Sequence, residues 1–320
     1  MTVFYAFNGD ADGLCGLQQL RLVDPREARL VTGVKRDIKL LGRVDAIDGD
    51  EVTVLDISLE QNRDDLVRLL DAGAVVRYFD HHRAGAVPNH PRLEPHIDQR
   101  ADVCTSILVD RHLGGRHRLW AIAAAFGDGL REVGASMANA AALEPATALT
   151  LEDLGVALNY NAYGDVLSDL CFDPAYLAQQ MQPFADPIEF VDALPIYSTI
   201  RAQYDDDMRM ARSLAPDRHA PGALMMVLPD AAWARRAIGV LANELVVTHP
   251  DSAIAIASPK SDGGFKVSVR VPARSPVAAD EFCAGFATGG GRKLAAGVND
   301  LPAADLDRFA AAFESRFRSH

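Results

Sequence analysis

The sequence predicts an α/β protein with a doubly wound parallel sheet and a helical block in an N-terminal domain, and a smaller α/β domain with a mixed sheet at the C-terminus. In the first third of the 320 residues, apolar β-branched runs alternate with helical patterns over short connections. This alternation is typical of parallel strands joined by helical crossovers. A helical block follows from about Ala101 to about Tyr176, and a second series of strand and helix patterns begins at Ala223.

The N-terminal strands are predicted from apolar runs that are bounded by turn residues. They are Val3–Phe7, Arg29–Gly33, Val52–Leu55 and Ala74–Phe79, with helices predicted at Gly13–Val23 and Glu60–Asp71. The range Pro88–His96 contains three prolines and is predicted to be a surface loop.

The domain boundary is predicted from Pro183, Pro187 and Pro195, which interrupt the helical block. The chain is long enough for two domains with separate cores. We therefore assign residues 1–185 to the first domain, 186–215 to a connector helix and 216–320 to the second domain, with a cleft between the domains. The run Asp205-Asp206-Asp207 on the connector is predicted to face solvent.

The C-terminal domain is predicted from three strands and three helices. These are the strands Ala223–Leu228, Ser252–Ala257 and Phe265–Val271, and the helices Ala232–Leu245, Ala278–Ala287 and Ala303–Phe317. The residues Asp262-Gly263-Gly264 predict a hairpin turn. The glycine-rich run Thr288–Lys293 is predicted to begin a loop between the last two helices.

Composition and charge limit the classes of function. An apolar fraction of 49% and a charged fraction of 24% are those of a soluble globular protein, and no apolar run approaches a membrane span. The net charge of −12 disfavours tight binding to long duplex nucleic acid and suits a small phosphorylated substrate. Four scattered cysteines and the lack of a signal peptide predict a reducing, cytoplasmic location.

Acidic and imidazole side chains follow the predicted strands. Asp10 and Asp12 follow the first strand, Asp56 follows the third, and the run Asp80-His81-His82 ends the fourth. Because the carboxyl ends of parallel strands share one edge of a sheet, these side chains are expected to meet there. Hard oxygen ligands with an imidazole suit manganese or magnesium better than structural zinc.

Each of these signals also has a plain structural interpretation. An Asp-x-Asp pair usually caps a helix, and a lone aspartate after a strand usually closes a turn. Asp128, between two glycines after the apolar run Trp120–Phe126, fits a turn at a helix end. Lys35 and Arg36 after the second strand fit either a phosphate contact or a solvated basic loop. Four signals at successive element ends are less easily explained in this way.

In this order, Asp10-x-Asp12, Asp56, Asp80-His81-His82 and Asp128 resemble the four motifs of the DHH phosphoesterase superfamily. The C-terminal run from Gly289 to Gly297 is similar to the glycine-rich signature of the domain associated with that superfamily, and Ser268-Val269-Arg270 resembles its Ser-x-Arg strand. The superfamily includes RecJ-like exonucleases, oligoribonucleases, dinucleotide phosphodiesterases and exopolyphosphatases. The resemblance covers nearly the whole chain.

The resemblance implies a site with two divalent cations, manganese or alternatively magnesium. Asp56 would bridge the ions, Asp10 with Asn8 would hold one, and a second set of ligands would hold the other: Asp12, His81 and Asp128. Asp80 would orient an imidazole, and His82 would contact the phosphate or the leaving group. The C-terminal domain would bind substrate through Arg270 and Arg292 and through a nest of backbone amides of Gly289, Gly290 and Gly291.

Three positions depart from the family pattern. The oligoribonuclease branch has a histidine four residues before the first aspartate, where this chain has Ala6. The RecJ-like branch has an aspartate two residues before it, where this chain has Asn8. In the glycine-rich segment, Arg292 stands where the family usually has histidine, and arginine binds phosphate but cannot shuttle a proton.

The resemblance implies a metal-dependent phosphodiesterase or exonuclease that hydrolyses short oligonucleotides or linear dinucleotides. A phosphoanhydride hydrolase acting on polyphosphate or pyrophosphate is the second hypothesis. A nucleotide-binding module with an incomplete metal site and no activity is the third. The sequence leaves the oligomeric state open.

Overall fold

The computed structural model describes residues 1–260 and 263–318. The chain divides into two units, residues 1–203 and 204–320. The predicted connector, residues 186–215, contains two helices, Pro187–Ala193 and Ile196–Arg212, and the unit boundary lies in the second of these. Among the described helices, none is long and apolar enough to cross a membrane.

Five parallel strands form the sheet of the first unit. They are β1 Val3–Phe7, β2 Arg29–Val31, β3 Glu51–Leu55, β4 Val75–Asp80 and β5 Leu93–Ile97. Their order is β2-β1-β3-β4-β5, and every neighbouring pair is parallel. The chain passes from β1 to β2 on one side and then to β3 on the other, so the strand order reverses between β1 and β3. Ligands of open α/β sheets bind at such a point.

The predicted parallel sheet is confirmed, but the prediction of a loop at Pro88–His96 is wrong in its last residues. Strand β5 pairs in parallel with β4, and Pro95 lies opposite Tyr78. Proline is tolerated here because β5 is an edge strand, where one side of the backbone has no ladder partner. Its charged and proline-containing sequence therefore carries no strand pattern.

Nine helices of the first unit and its boundary surround and extend this sheet. They are α1 Ala11–Val23, α2 Leu59–Asp71, α3 Thr105–His112, α4 Arg118–Gly127, α5 Arg131–Ala140, α6 Pro145–Asn161, α7 Pro174–Met181, α8 Pro187–Ala193 and α9 Ile196–Arg212. The core on one side of the sheet joins strand residues such as Val52, Val54 and Val76 to Leu66 and Leu69 of α2. Burial of these side chains positions the strand ends that carry the polar motifs.

The second unit contains a mixed sheet, as predicted, but with six strands among the described residues where three were predicted. Its strands are β6 Arg218–Ala220, β7 Ala223–Val227, β8 Ala253–Pro259, β9 Phe265–Arg270, β10 Gly289–Arg292 and β11 Ala295–Leu301, in the order β10-β11-β9-β8-β7-β6. Only β7 and β8 pair in parallel. The helices are α10 Ala232–Thr248, α11 Ala279–Cys283 and α12 Leu306–Phe317. The predicted hairpin turn at Asp262–Gly264 lies partly outside the described residues.

The glycine-rich segment is a strand and not the start of a loop. Gly289–Arg292 forms β10 and pairs antiparallel with β11, so a hairpin stands between the two predicted helices. Gly291 has φ of +148°, and a Cβ there would collide with the backbone of Ala296. Glycine is depleted in strands, so the sequence favours a loop where backbone geometry requires glycine within a strand.

The prediction that Asp205, Asp206 and Asp207 all face solvent is wrong for Asp207. Asp205 and Asp206 are exposed, whereas the side chain of Asp207 is completely buried. Arg236 of α10 donates to it from Nε at 2.6 Å and from Nη2 at 2.9 Å. Successive residues of a helix point in different directions, so one member of an acidic run can face the core.

Candidate metal centre

The side chains that follow β1, β3, β4 and α4 converge in the first unit, at the sheet edge where the strand order reverses. His81 Nε2 lies 3.4 Å from Asp56 Oδ1, 3.8 Å from Asp128 Oδ2 and 3.9 Å from Asp12 Oδ2. Among the described residues, Asp12, His81 and Asp128 form one group with the spacing of metal ligands, and Asp56, His81 and His82 form another. We call Asp12, Asp56, His81 and Asp128 the carboxylate–imidazole cluster.

His81 is oriented by a backbone group that the motifs do not contain. Its Nδ1 lies 2.9 Å from the carbonyl oxygen of Val103. A carbonyl only accepts hydrogen bonds, so Nδ1 carries the proton and Nε2 of the neutral ring has a free lone pair. That lone pair faces the carboxylates, which is the arrangement of a metal-binding histidine.

Asp12 is held at the N-terminus of α3. The backbone N–H groups of Thr105 and Ser106 donate to its two carboxylate oxygens, each at 2.7 Å. Ser106 Oγ also donates to the Asp12 carbonyl at 2.7 Å. Helix N-termini favour negative charge, and each carboxylate oxygen keeps a second lone pair for another partner.

Asp56 occupies a strained backbone position directly after β3. Its φ is +59°, a left-handed conformation that aspartate and asparagine tolerate better than most residues. Burial and the charges of the neighbouring aspartates raise the pKa of Asp56 well above its ordinary value. Without a bound cation, the charged form of Asp56 is therefore disfavoured.

Asp128 ends α4, and its position depends on how closely α4 packs against α6. A Cβ on Gly155 of α6 would collide with the carbonyl oxygen of Ala123 in α4. Only glycine therefore permits this approach. Burial, followed by the charges of Asp12 and Asp10, raises the pKa of Asp128 to about 7.

Replacing Gly155 with alanine should separate α4 from α6 and displace Asp128. We expect unfolding free energy to fall by about 1–3 kcal/mol, the usual effect of overpacking, together with weaker Mn²⁺ binding. Gly239 of α10 is a matched control, because no atom lies within 4 Å of a Cβ built there. Gly239→Ala should be neutral or stabilise the protein by up to about 1 kcal/mol. Equal stability of Gly155→Ala and the wild type in urea unfolding would refute the packing argument.

Asp80 orients His82, in agreement with the predicted kind of contact. Asp80 Oδ1 lies 2.7 Å from His82 Nδ1 and accepts the His82 backbone N–H at 3.1 Å. Burial lowers the pKa of His82, but the hydrogen bond and charge of Asp80 outweigh burial and leave this pKa raised. The side chain of Asp80 is fully buried while that of His82 is 43% exposed, so His82 is the one that can reach a substrate.

Asp10 differs from the cluster because the protein supplies a cation for it. Its Oδ1 accepts the backbone N–H groups of Asp12 at 3.0 Å and Gly13 at 3.2 Å, which caps α1. Its Oδ2 pairs with the ammonium group of Lys35. Burial would raise the pKa of Asp10, but Lys35 outweighs burial and lowers it.

Asn8 offers only a neutral amide oxygen beside Asp10. Its side chain is buried, its Nδ2 donates to the Lys35 carbonyl at 3.4 Å, and its Oδ1 has no hydrogen-bond donor among the described residues. Ala6 is buried and offers no ligand. The structure thus places three carboxylates, those of Asp12, Asp56 and Asp128, around His81, whereas Asp10 and Asn8 contact Lys35.

A third group with ligand-like spacing lies elsewhere in the described part of the chain. Glu94, His96 and His112 are exposed or half-buried, and His96 stacks on Phe79 with ring centroids 4.3 Å apart. Arg77 lies 3.6 Å from Glu94 and neutralises it. This group is more exposed than the carboxylate–imidazole cluster, and its one carboxylate is already paired.

Three of the predicted substrate-binding residues of the second unit, Arg270, Gly290 and Arg292, share one face of its sheet. Arg292 pairs with Ala295, and Ala295 pairs with Arg270, across three neighbouring strands. Directly paired residues project from the same face, so the two arginines flank Ala295. The next row on this face consists of small residues: Gly290, Gly297 and Ser268.

The two arginines have different surroundings. Arg270 donates from Nε to Asn243 Oδ1 at 2.7 Å and from Nη1 to Ser268 Oγ at 3.0 Å. Arg292 is exposed, and no atom lies within 4 Å of a Cβ built on Gly290. Gly289, Gly290 and Gly291 belong to an edge strand and not to a loop. The small side chains instead leave the face between the arginines open.

The sequence did not predict four contacts of the site, which involve Val103, Thr105, Ser106 and the ion pair of Lys35. Three of the four act through backbone groups or a hydroxyl group and belong to no recognisable motif. The contact of Asp12 with Thr105 joins residues 93 positions apart. Only Thr105-Ser106 before an apolar helical run gave a usable signal, because such residues often begin helices.

Comparison with known proteins supports the fold. No protein-family model and no curated protein matches the sequence. Among solved structures, the manganese-bound exonuclease RecJ is 18% identical with a TM-score of 0.65 over 98% of this chain and 89% of that chain. The pGpG-specific phosphodiesterase PggH from Vibrio cholerae is 15% identical with a TM-score of 0.60 over 99% of both chains.

An exopolyphosphatase-related protein from Bacteroides fragilis is 12% identical, with a TM-score of 0.51 over 99% of this chain and 91% of that chain. At these levels of identity the likeness concerns the fold. The chain therefore shares its fold with RecJ and PggH, and the fold implied by the four DHH phosphoesterase motifs is confirmed.

Proposed function

We propose that this protein is a divalent-cation-dependent phosphodiesterase that acts on short oligonucleotides or linear dinucleotides. The observation that carries the proposal is the convergence of three carboxylates on the free Nε2 of His81. RecJ is an exonuclease and PggH a pGpG-specific phosphodiesterase, and their shared fold with this chain supports the substrate class. The acidic net charge of −12 agrees with a small substrate.

The donor set of the carboxylate–imidazole cluster fits a divalent cation. Burial and mutual repulsion raise the pKa values of Asp56 and Asp128, which a cation would reverse. Carboxylate oxygens with one imidazole suit Mn²⁺, and Mg²⁺ is the alternative. When bound, such a cation polarises a phosphoryl oxygen and lowers the pKa of a coordinated water. The neutral tautomer of His81, set by Val103, supplies the lone pair for this binding.

His82 is proposed to contact the substrate phosphate and to donate a proton to the leaving oxygen. Asp80 holds its Nδ1, which leaves Nε2 as the outward-facing nitrogen. The raised pKa of His82 keeps a larger fraction of the ring protonated near neutral pH, as a general acid requires. Asp80 would act as a positioning residue and would not touch the substrate.

Arg270 and Arg292 are proposed to bind substrate phosphate in the second unit. They project from one face of its sheet on either side of Ala295. Their planar guanidinium groups suit phosphate oxygens, and Gly290 and Gly297 leave room beside them. In this proposal the glycines provide space, whereas the sequence predicted that their amides would bind the anion.

The proposed function is tested by incubating the purified protein with Mn²⁺ and RNA oligomers from dimers upwards. We expect mononucleotide release that EDTA stops and Mn²⁺ restores. His81→Ala should lose this activity and Mn²⁺ binding, whereas His219→Ala, at an exposed position of β6, should retain both. Folded, Mn²⁺-loaded protein that releases no mononucleotide from any oligomer would refute the proposal.

A phosphoanhydride hydrolase is the second candidate, because an exopolyphosphatase-related protein also has this fold. Phosphate release from polyphosphate or pyrophosphate with dinucleotides untouched would favour it. Nucleotide binding without turnover of either substrate class would favour the third hypothesis, a binding module.

A further inference from the structure

Lys35 lies where the family resemblance implies one of two divalent cations. Its Nζ pairs with Asp10 Oδ2 and donates to Asn159 Oδ1 at 2.8 Å. Asp10 is the aspartate to which the resemblance assigns the first ion, together with Asn8. A positive charge of the chain itself is therefore present at that carboxylate.

The surroundings of Lys35 fix it in this place. Its backbone N–H donates to the Ala162 carbonyl at 3.0 Å, and its own carbonyl accepts the Asn8 side-chain amide at 3.4 Å. Asn159 Nδ2 donates to the Tyr163 hydroxyl at 2.9 Å, which turns Asn159 Oδ1 towards the ammonium group. Both ends of the Lys35 residue are thus anchored, and two oxygen atoms accept from its side chain.

The remaining ligands beside Asp10 do not suit a divalent cation. Asp10 Oδ1 is occupied by two backbone N–H groups of α1. Asn8 offers a neutral oxygen, and Ala6 offers none. An ion here would have neither the imidazole ligand of the oligoribonuclease branch nor the aspartate ligand of the RecJ-like branch. It would also have to displace the Lys35 ammonium group from Asp10 or lie beside that positive charge.

We propose that the Lys35 ammonium group takes the place of the second cation, so that each chain binds one divalent cation in the carboxylate–imidazole cluster. This inference rests on the proposed metal-dependent function and specifies its metal content. Lys35 is assigned as a positioning residue that compensates Asp10 at every concentration of free metal. The metal dependence of the protein should accordingly follow a single binding site.

The first test measures Mn²⁺ content of the wild-type protein by equilibrium dialysis and calorimetric titration, without reference to activity. We expect one equivalent per chain and an electron paramagnetic resonance spectrum of isolated Mn²⁺. Two equivalents with an exchange-coupled spectrum would overturn the role of Lys35 and leave the proposed function intact. No binding at all would overturn both the metal-dependent function and this inference.

The second test restores the family pattern. The double variant Asn8→Asp with Lys35→Met removes the ammonium group and supplies the carboxylate of the RecJ-like branch. It should bind two equivalents of Mn²⁺ and show the exchange-coupled spectrum. Lys39→Met removes a positive charge from an exposed position nearby and should still bind one equivalent. A folded double variant that binds only one equivalent would overturn the inference, and the wild-type measurement decides the question if the variant fails to fold.

Discussion

Asp56→Asn should abolish the binding of divalent cations and yet stabilise the cation-free protein. Asp56 is nearly fully buried, and burial with the neighbouring aspartates raises its pKa. An asparagine side chain has nearly the same size as that of aspartate and tolerates the φ of +59°, but it cannot carry a negative charge. We expect Mn²⁺ affinity to fall by more than ~100-fold. Even the loss of a residue that only holds a metal ligand in place can weaken metal affinity by up to about 100-fold.

The gain in stability should depend on pH in a defined direction. A carboxyl group whose pKa is raised in the folded state does not lower the free energy of unfolding below its unfolded-state pKa of about 4. At such pH values the group is protonated in both states. The cost grows as the pH rises towards the folded-state pKa, because only the unfolded chain ionises freely. The advantage of Asp56→Asn should therefore be absent near pH 4 and reach ~1 kcal/mol or more near neutral pH.

These two effects are checked by thermal unfolding with EDTA and with Mn²⁺ at several pH values. The wild type should gain stability from Mn²⁺, and Asp56→Asn should not. Asp64→Asn, on the exposed side of α2, is the matched control and should change neither property. Lower stability of cation-free Asp56→Asn at neutral pH would contradict the proposed repulsion in the cluster.

Asp207→Ala should destabilise the second unit by about 3–5 kcal/mol, the usual cost of leaving one member of a buried ion pair without its partner. Arg236 makes two hydrogen bonds to Asp207, and its side chain is only 8% exposed. Without the carboxylate, a guanidinium group would remain in the core between α9 and α10. This effect should appear in urea unfolding and be independent of Mn²⁺.

Asp206→Ala is the control for this effect. Asp206 pairs with Arg209 on the helix surface, where such pairs contribute less than about 1 kcal/mol. Replacing both buried partners, Asp207→Leu with Arg236→Met, should recover most of the lost stability, because no unpaired charge remains. If Asp207→Ala lowered the free energy of unfolding no more than Asp206→Ala does, the predicted cost of breaking the buried ion pair would be refuted.

The strands β1 and β3, which the sequence predicted correctly, are buried along nearly their whole length. The run Val3–Phe7 is apolar throughout, and Val52–Leu55 is apolar except for Thr53, because helices cover both faces of a parallel sheet. The sequence missed four strands: β5, β6, β10 and β11. Strand β5 contains proline, and β10 and β11 contain glycine, while β6 has only three residues. They are held by backbone hydrogen bonds at or near sheet edges, and such bonds do not require an alternation of apolar side chains in the sequence.

The motifs predicted which carboxylates and imidazoles would meet, but not how each is held. The convergence of Asp12, Asp56, His81 and Asp128 follows from parallel strands ending at one edge and is present in the structure. Asp10 satisfies the capping interpretation of its motif, and its second oxygen is taken by Lys35. The metal-ligand roles themselves stay a prediction until metal content is measured.

The sequence alone determined the parallel sheet, the mixed second sheet and the order of the four polar motifs, because these depend on local apolar pattern and on residue identity. The tertiary structure decided that Val103 sets the tautomer of His81, that the α3 N-terminus holds Asp12, and that Lys35 neutralises Asp10. These contacts join residues 22, 93 and 25 positions apart. Only folding brings residues so far apart in the chain within hydrogen-bonding distance, so no local sequence pattern predicts these contacts.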